Sequence, residues 1–164
     1  MPLDGVCMQA VAEELRPALL GLRIDKVQQP AKDQVILLLR GNKRLLLNAG
    51  ANAPRIQLTG LTRDNPAEPP MFCMLLRKHL VGGRVAALTQ PPLERLVRLE
   101  LDVTDDFGQP GRRTLVLEAM GRRSNLILLD GEGRIIDCLR RVDADMSASR
   151  PVLPGRYYEP PAAV

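Results

Sequence analysis

The sequence predicts an α+β domain: one or two antiparallel sheets with two helices set against them. Three observations predict it. From Leu93 to Val103 the apolar residues Leu93, Val97, Leu99, Leu101 and Val103 alternate with Arg98, Glu100 and Asp102. That period of two belongs to a half-buried antiparallel strand. The decapeptide MFCMLLRKHL starts after Pro69-Pro70 and stops before Gly82-Gly83, the punctuation of a short helix. Gly41-Asn42 and Asp130-Gly131-Glu132-Gly133 sit between apolar runs, where hairpin turns belong.

The elements follow in order. Asp4 caps a helix through about Leu20, with apolar positions Val6, Ala10, Val11, Leu15, Leu19 and Leu22. Pro17 interrupts or kinks it, and Gly21 ends it. Ile24 to Gln28 is a short strand. Val35 to Leu39 and Leu45 to Leu47 flank the first hairpin turn. Arg55 to Thr59 alternates as a further strand, with Ile56 and Leu58 pointing one way. The Pro-rich stretch 60–70 leads to the second helix, where Arg77, Lys78 and His79 complement the negative helix end. Only strands come after it: Val85 to Thr89, Leu93 to Val103, Thr114 to Ala119, Asn125 to Asp130 and Arg134 to Leu139. Residues 1–150 form one domain, and the Pro-rich segment 151–164 is a departing linker.

Composition narrows the function classes. The chain has 164 residues, 45% apolar and 26% charged, enough for a globular domain with its own core. The net charge is +4, and 19 of the 23 basic residues are Arg. Arginine suits bidentate contact with phosphate or base edges, so a nucleic-acid partner stands beside the plainer reading of a solvated surface. The aromatics are Phe72, Phe107, Tyr157 and Tyr158, too few for a base-stacking platform. Cys7, Cys73 and Cys138 are odd in number, far apart and in apolar surroundings, which points to buried free thiols. No signal-peptide pattern and no membrane-length apolar run appears, so a cytoplasmic chain without a membrane partner is expected. His79 is the only histidine, which leaves a Ser/His/Asp triad unsupported. With no Gly-rich phosphate loop and no metal-ligand spacing, the chain is expected to be no enzyme and to hold no metal or cofactor. One enzymatic route stays open: once Met1 is removed, the Pro2 amine could attack a sugar C1′ and form a Schiff base.

Six stretches carry a family resemblance: LDG (3–5), RIDKVQQP (23–30), RLLLNAGANAPRIQLT (44–59), NPAEPPMFCMLLRKHLVGG (65–83), EAMGRRSNLILLD (118–130) and VLPGRYYEPP (152–161). Together they resemble the N-terminal domain of NFACT proteins over nearly the whole chain. The resemblance implies a β-sandwich with flanking helices, similar to the N-terminal domain of formamidopyrimidine-DNA glycosylase. It implies a factor of ribosome-associated quality control. Such factors bind stalled large ribosomal subunits and recruit tRNA, alanine tRNA in bacteria, for untemplated C-terminal tailing of the nascent chain. This domain would grip the anticodon region of tRNA, and regions absent from this chain would reach the large ribosomal subunit.

The resemblance also implies a tRNA-binding set: Asp4, Glu94, Arg95, Glu118, Met120, Gly121, Arg122, Ser124 and Asn125. Glu94 stands where the family carries Asp. A carboxylate there can accept from a base amine, and Arg95 can donate to phosphate or guanine. A surface ion pair is the plain alternative. In EAMGRRSN, Gly121 lets backbone approach a ligand, and Arg122 and Arg123 supply phosphate contacts. Ser124 and Asn125 would add uncharged hydrogen bonds from an exposed loop on a rigid sheet. A solvated hairpin tip is the alternative. Two rival classes remain. A DNA glycosylase or AP lyase is one, although Leu3 replaces the acidic residue that should follow Pro2. A fibronectin-binding surface protein, after the name some relatives carry, is the other.

Overall fold

The computed structural model describes residues 5–50, 54–60, 68–90, 95–143 and 150–160, with backbone alone for 5–8. Asp4, Glu94, Leu93 and the Pro2 amine lie outside the described residues, as does the side chain of Cys7. Among the described residues no helix is long and apolar enough to cross a membrane.

Helix α1, Gly5–Leu19, opens the chain. Its core face is Ala12, Leu15 and Leu19, the spacing of one helical stripe. Ala10 is exposed, unlike the expectation. Pro17 falls inside the helix, close enough to its end that little of the hydrogen-bond ladder is lost. Four strands follow as a meander: β1 Ile24–Ala31, β2 Gln34–Leu39, β3 Lys43–Asn48 and β4 Arg55–Thr59, all antiparallel. Asn42, at φ 61, makes the tight turn between β2 and β3. β1 runs past its expected end at Gln28, through two register irregularities. Ile56 and Leu58 pair with the core residues Leu47 and Leu45, so they point one way as expected, although Leu58 on this edge strand is 38% exposed.

Helix α2, Met71–Leu80, begins after Pro70 and buries Phe72, Cys73, Leu76 and Leu80. A second meander follows: β5 Arg84–Thr89, β6 Leu96–Thr104, β7 Pro110–Glu118, β8 Asn125–Leu129 and β9 Ile135–Cys138. The two sheets meet at the starts of β1 and β5. Ile24 N donates to Gly83 O at 2.8 Å, and Val85 N donates to Leu22 O at 2.9 Å. Gly83 permits this crossing, because a Cβ there would stand 2.9 Å from Val103 Cγ1 and 3.1 Å from two carbonyl oxygens.

Each helix bridges the sheets. α1 touches β4, β5 and β6, whereas α2 touches β1, β6 and β9. Arg16 Nε pins α1 to Leu88 O at 2.8 Å, and Arg77 Nε pins α2 to Val27 O at 3.0 Å. The inner faces of both sheets and both helices share one core, including Leu37, Leu47, Leu76, Leu99, Leu117 and Leu128. The α+β class with two antiparallel sheets is therefore as expected.

A smaller apolar cluster lies on the other face of the second sheet: Leu96, Val116, Ile127, Leu129, Ile135, Cys138 and Val152. Its cover comes from residues 150–160, which had been expected to leave as a linker. Instead, Ile135 N donates to Arg156 O at 2.8 Å, Tyr158 N donates to Gly133 O at 2.9 Å, and Val142 and Val152 form a bridge. The reason is visible in β8. Leu126 to Leu129 are four consecutive buried apolar residues, so both faces of that strand need a cover.

Candidate nucleic-acid interface

The start of β6, the end of β7 and the start of β8 lie side by side, since Leu96 pairs with Glu118 and Glu118 with Asn125. Arg95 is drawn to this rim by its carbonyl, which accepts from Ala119 N at 2.8 Å, and its side chain is exposed. Gly121–Arg123 forms a single 3-10 turn between β7 and β8. Gly121 enters it at φ 58, a conformation that favours glycine, with open space where a Cβ would be. Arg122 and Arg123 are exposed. One end of the sheet thus presents Arg95, Arg122 and Arg123 together.

Beneath them the polar side chains face inward. Ser124 is fully buried, and its Oγ accepts from Met120 N at 2.9 Å, which closes the turn. Asn125 reads both backbone groups of Arg140: Oδ1 accepts from Arg140 N at 3.0 Å and Nδ2 donates to Arg140 O at 2.8 Å. Arg140 Nη1 donates to Ser124 O and, at 3.1 Å, to Ala49 O at the end of the first sheet. Glu118, only 1% exposed, accepts from Arg150 Nη2 and from the Tyr158 hydroxyl. Burial, and then the Glu118 charge, push the Tyr158 phenol far above its ordinary pKa.

Sequence reasoning and structure therefore part at three residues. Ser124 and Asn125 were expected as hydrogen-bonding groups on an exposed loop, but their polar atoms are satisfied inside the chain. Glu118 is clasped under residues 150–160. The cause is strand geometry. Glu118 and Asn125 are paired residues, so they share the covered outer face, and the one-turn connection tucks Ser124 beneath itself. Met120 is half-buried, with its backbone used by Ser124. Arg140, Arg150 and Tyr158 were missed. They lie 15 to 91 residues from the groups they hold, and no local pattern marks such pairs.

Among the described residues no cluster of His, Cys, Asp and Glu could hold a metal ion. His79 Nδ1 accepts from Arg113 Nε at 3.2 Å. Burial, then the Arg113 and Lys78 charges, lower the His79 pKa, so the ring is neutral and adds no charge to the helix end as had been expected. Cys73 and Cys138 are buried free thiols, and burial pushes Cys138 up to about 12.

Residues 4–164 match the family described as NFACT N-terminal and middle domains. The chain belongs to the NFACT family. It is 40% identical to the Rqc2 homolog RqcH of Bacillus subtilis over 99% of its own length and 29% of that protein's. It is 34% identical to ribosome quality control complex subunit 2 of Saccharomyces cerevisiae, over 85% of this chain and 13% of that one. The chain thus spans under a third of the curated relatives it matches. Among solved structures, the N-terminal part of the fibronectin/fibrinogen-binding protein of Streptococcus suis is similar at TM-score 0.94 and 34% identity, over 99% of this chain and 62% of that one. The N-terminal domain of the fibronectin-binding protein PavA of Streptococcus pneumoniae is similar at TM-score 0.93 and 35% identity, over 98% and 62%.

Proposed function

We propose that this NFACT domain binds RNA, and specifically tRNA in its anticodon region, as part of a ribosome quality control factor. Relatives named as RqcH and as a ribosome quality control complex subunit support the setting. The observation that carries the binding mode is the rim where Arg95, Arg122 and Arg123 are exposed together over a buried polar network. Three guanidinium forks on a fixed base suit the phosphates of a structured RNA. With the neighbouring polar side chains turned inward, recognition by this rim is of backbone and shape more than of base edges.

In this reading the domain is cytoplasmic and non-catalytic. It delivers tRNA to stalled large ribosomal subunits, alanine tRNA in bacteria, for C-terminal tailing of the nascent chain. Titration of parent, Arg95→Ala and Arg122→Ala chains with tRNA, beside a thermal melt, tests it. Each variant should lose about 1–3 kcal/mol of binding and under about 0.5 kcal/mol of stability. Parent-like binding with an early melt would make the rim structural. A second reading, fibronectin binding, is favoured only by what two structural neighbours are called. Titration with fibronectin in place of tRNA decides it.

A further inference from the structure

A second concentration of charge lies on the outer face of the first sheet. Lys26 pairs with Leu38, and Leu38 with Arg44, so the three share one face. Two adjoining hollows, of about 480 and 310 Å³, are both lined by Asp25 and Lys26: the smaller opens over this row, and the larger lies along the free edge of β1, where it faces α2. Arg77 of α2 lines the larger, and Lys43 and Arg44 line the smaller. The floor between Lys26 and Arg44 is Leu38, so the two cations stand two strand spacings apart, about 10 Å.

The charges here are unbalanced. Asp25 is the single carboxylate of the two hollows, and Arg23 at 3.8 Å and Arg40 at 3.5 Å already flank it. Six cations (Arg23, Lys26, Arg40, Lys43, Arg44 and Arg77) against Asp25 leave +5, more than the +4 of the entire chain. Charge is thus segregated rather than spread. The side chains of Lys26 and Arg44 have no hydrogen bond or ion pair among the described residues. Arg77 uses its Nε on Val27 O and lines the larger hollow. Among the described residues no partner takes the Lys26 ammonium or the Arg44 guanidinium.

We infer that this groove is a second phosphate-binding surface, which holds the backbone of the same RNA that lies on the rim. The inference rests on the RNA-binding reading above. Two adjoining hollows, with cations about 10 Å apart across the apolar floor of the smaller one, suit phosphates along one RNA backbone. The groove is also within reach of the rim. β3 leads from Arg44 to Ala49, whose carbonyl is held by Arg140 under the rim. Five residues at about 3.3 Å each put the two surfaces roughly 15 Å apart, a span one RNA stem covers.

The test is a tRNA titration over a range of salt with three chains: parent, Arg95→Ala, and the double variant Lys26→Gln with Arg44→Gln. The double variant should keep the parent's melting temperature. It should lose roughly ten-fold in affinity at low salt, with a log–log salt slope shallower by about 1 to 2. Parent-like slope and affinity in the double variant, with Arg95→Ala impaired, would overturn the groove and leave the rim standing. The reverse pattern would keep the groove and remove the rim. If polyglutamate of equal charge displaced tRNA from the parent and not from the double variant, the groove would fit an acidic peptide and the RNA assignment would fall.

Discussion

Two polar hairpin connections of the second sheet, β6–β7 and β7–β8, are of similar length and are built in opposite ways. At the β6–β7 tip, Asp105 Oδ1 accepts from Phe107 N at 2.9 Å and Gln109 N at 2.8 Å, which folds the tip on itself. Two backbone bonds inside the tip, Asp105 N to Gln109 O at 2.9 Å and Gly108 N to Asp105 O at 3.0 Å, complete it, and Phe107 is 89% exposed. At the β7–β8 turn, Ser124, Asn125 and Glu118 are buried, and their partners come from distant parts of the chain. The first connection is closed by its own side chain and ends in solvent. The second is held from below while its arginines stay outside. A loop that must present charges in a fixed geometry needs such a base, because the ordering cost is then met in folding and not in binding.

The largest break in this comparison should come from Glu118. Glu118→Ala leaves Arg150 and the Tyr158 hydroxyl, both carried by residues 150–160, without their shared acceptor. Removing one partner of a buried pair costs about 3–5 kcal/mol, so urea denaturation should show a loss of that order. The docked segment should also become accessible to protease. A loss under about 1 kcal/mol would mean that the clasp is solvated and the turn is no better supported than the tip.

Asn125→Ala should follow, at about 2 kcal/mol, because it unpairs a backbone donor and acceptor of Arg140. It should weaken tRNA binding as well, since the turn loses its staple to the end of the first sheet. Restoration by Asn125→Asp should be partial at best. A carboxylate can accept from Arg140 N but cannot donate to its carbonyl.

Much of this arrangement was legible in sequence, and the part that was not has a physical cause. The helix MFCMLLRKHL, the Asn42 turn and the alternation of Val97, Leu99 and Leu101 are local patterns, and the structure follows them. The clasp of Glu118 with Arg150 and Tyr158 is not local. Its pairs are 32 and 40 residues apart, and its ends lie in a segment whose prolines suggest a linker. The four apolar residues of β8 were the available clue that something covers the outer face. Likewise the string Arg122-Arg123-Ser124-Asn125 shows polarity but not direction, and direction separates the exposed pair from the buried pair.

Tyr158 offers a milder test of the same clasp. Its folded pKa is raised, so its contribution is fully present below the ordinary value of 10.0 and is lost as pH rises above it. Stability should therefore fall with pH from about 10 upward. Tyr158→Phe should cost about 1.5 kcal/mol at neutral pH, as one hydrogen bond to a charged acceptor is removed, and should flatten that alkaline decline. Melts from pH 7 to 11 on both chains check it. The same decline in both would place the titrating group elsewhere.

The smallest effect belongs at the free tip. Phe107→Ser removes a side chain that is almost wholly in solvent and buries nothing, so stability should stay within about 0.5 kcal/mol of the parent. The turn itself should persist, because Asp105 Oδ1 accepts from the backbone N–H groups of residue 107 and Gln109, which the substitution leaves in place. Affinity for tRNA should also be unchanged. The tip is at the far end of β6 and β7 from Arg95 and Gly121, with nine paired positions between Leu96 and Thr104. At about 3.3 Å per residue that is nearly 30 Å. Titration and melt on this one variant set the baseline against which the rim variants are judged. If Phe107→Ser weakened tRNA binding as Arg122→Ala is expected to, the RNA would have to reach both ends of the sheet. The contrast between a supported turn and an idle tip would then fail.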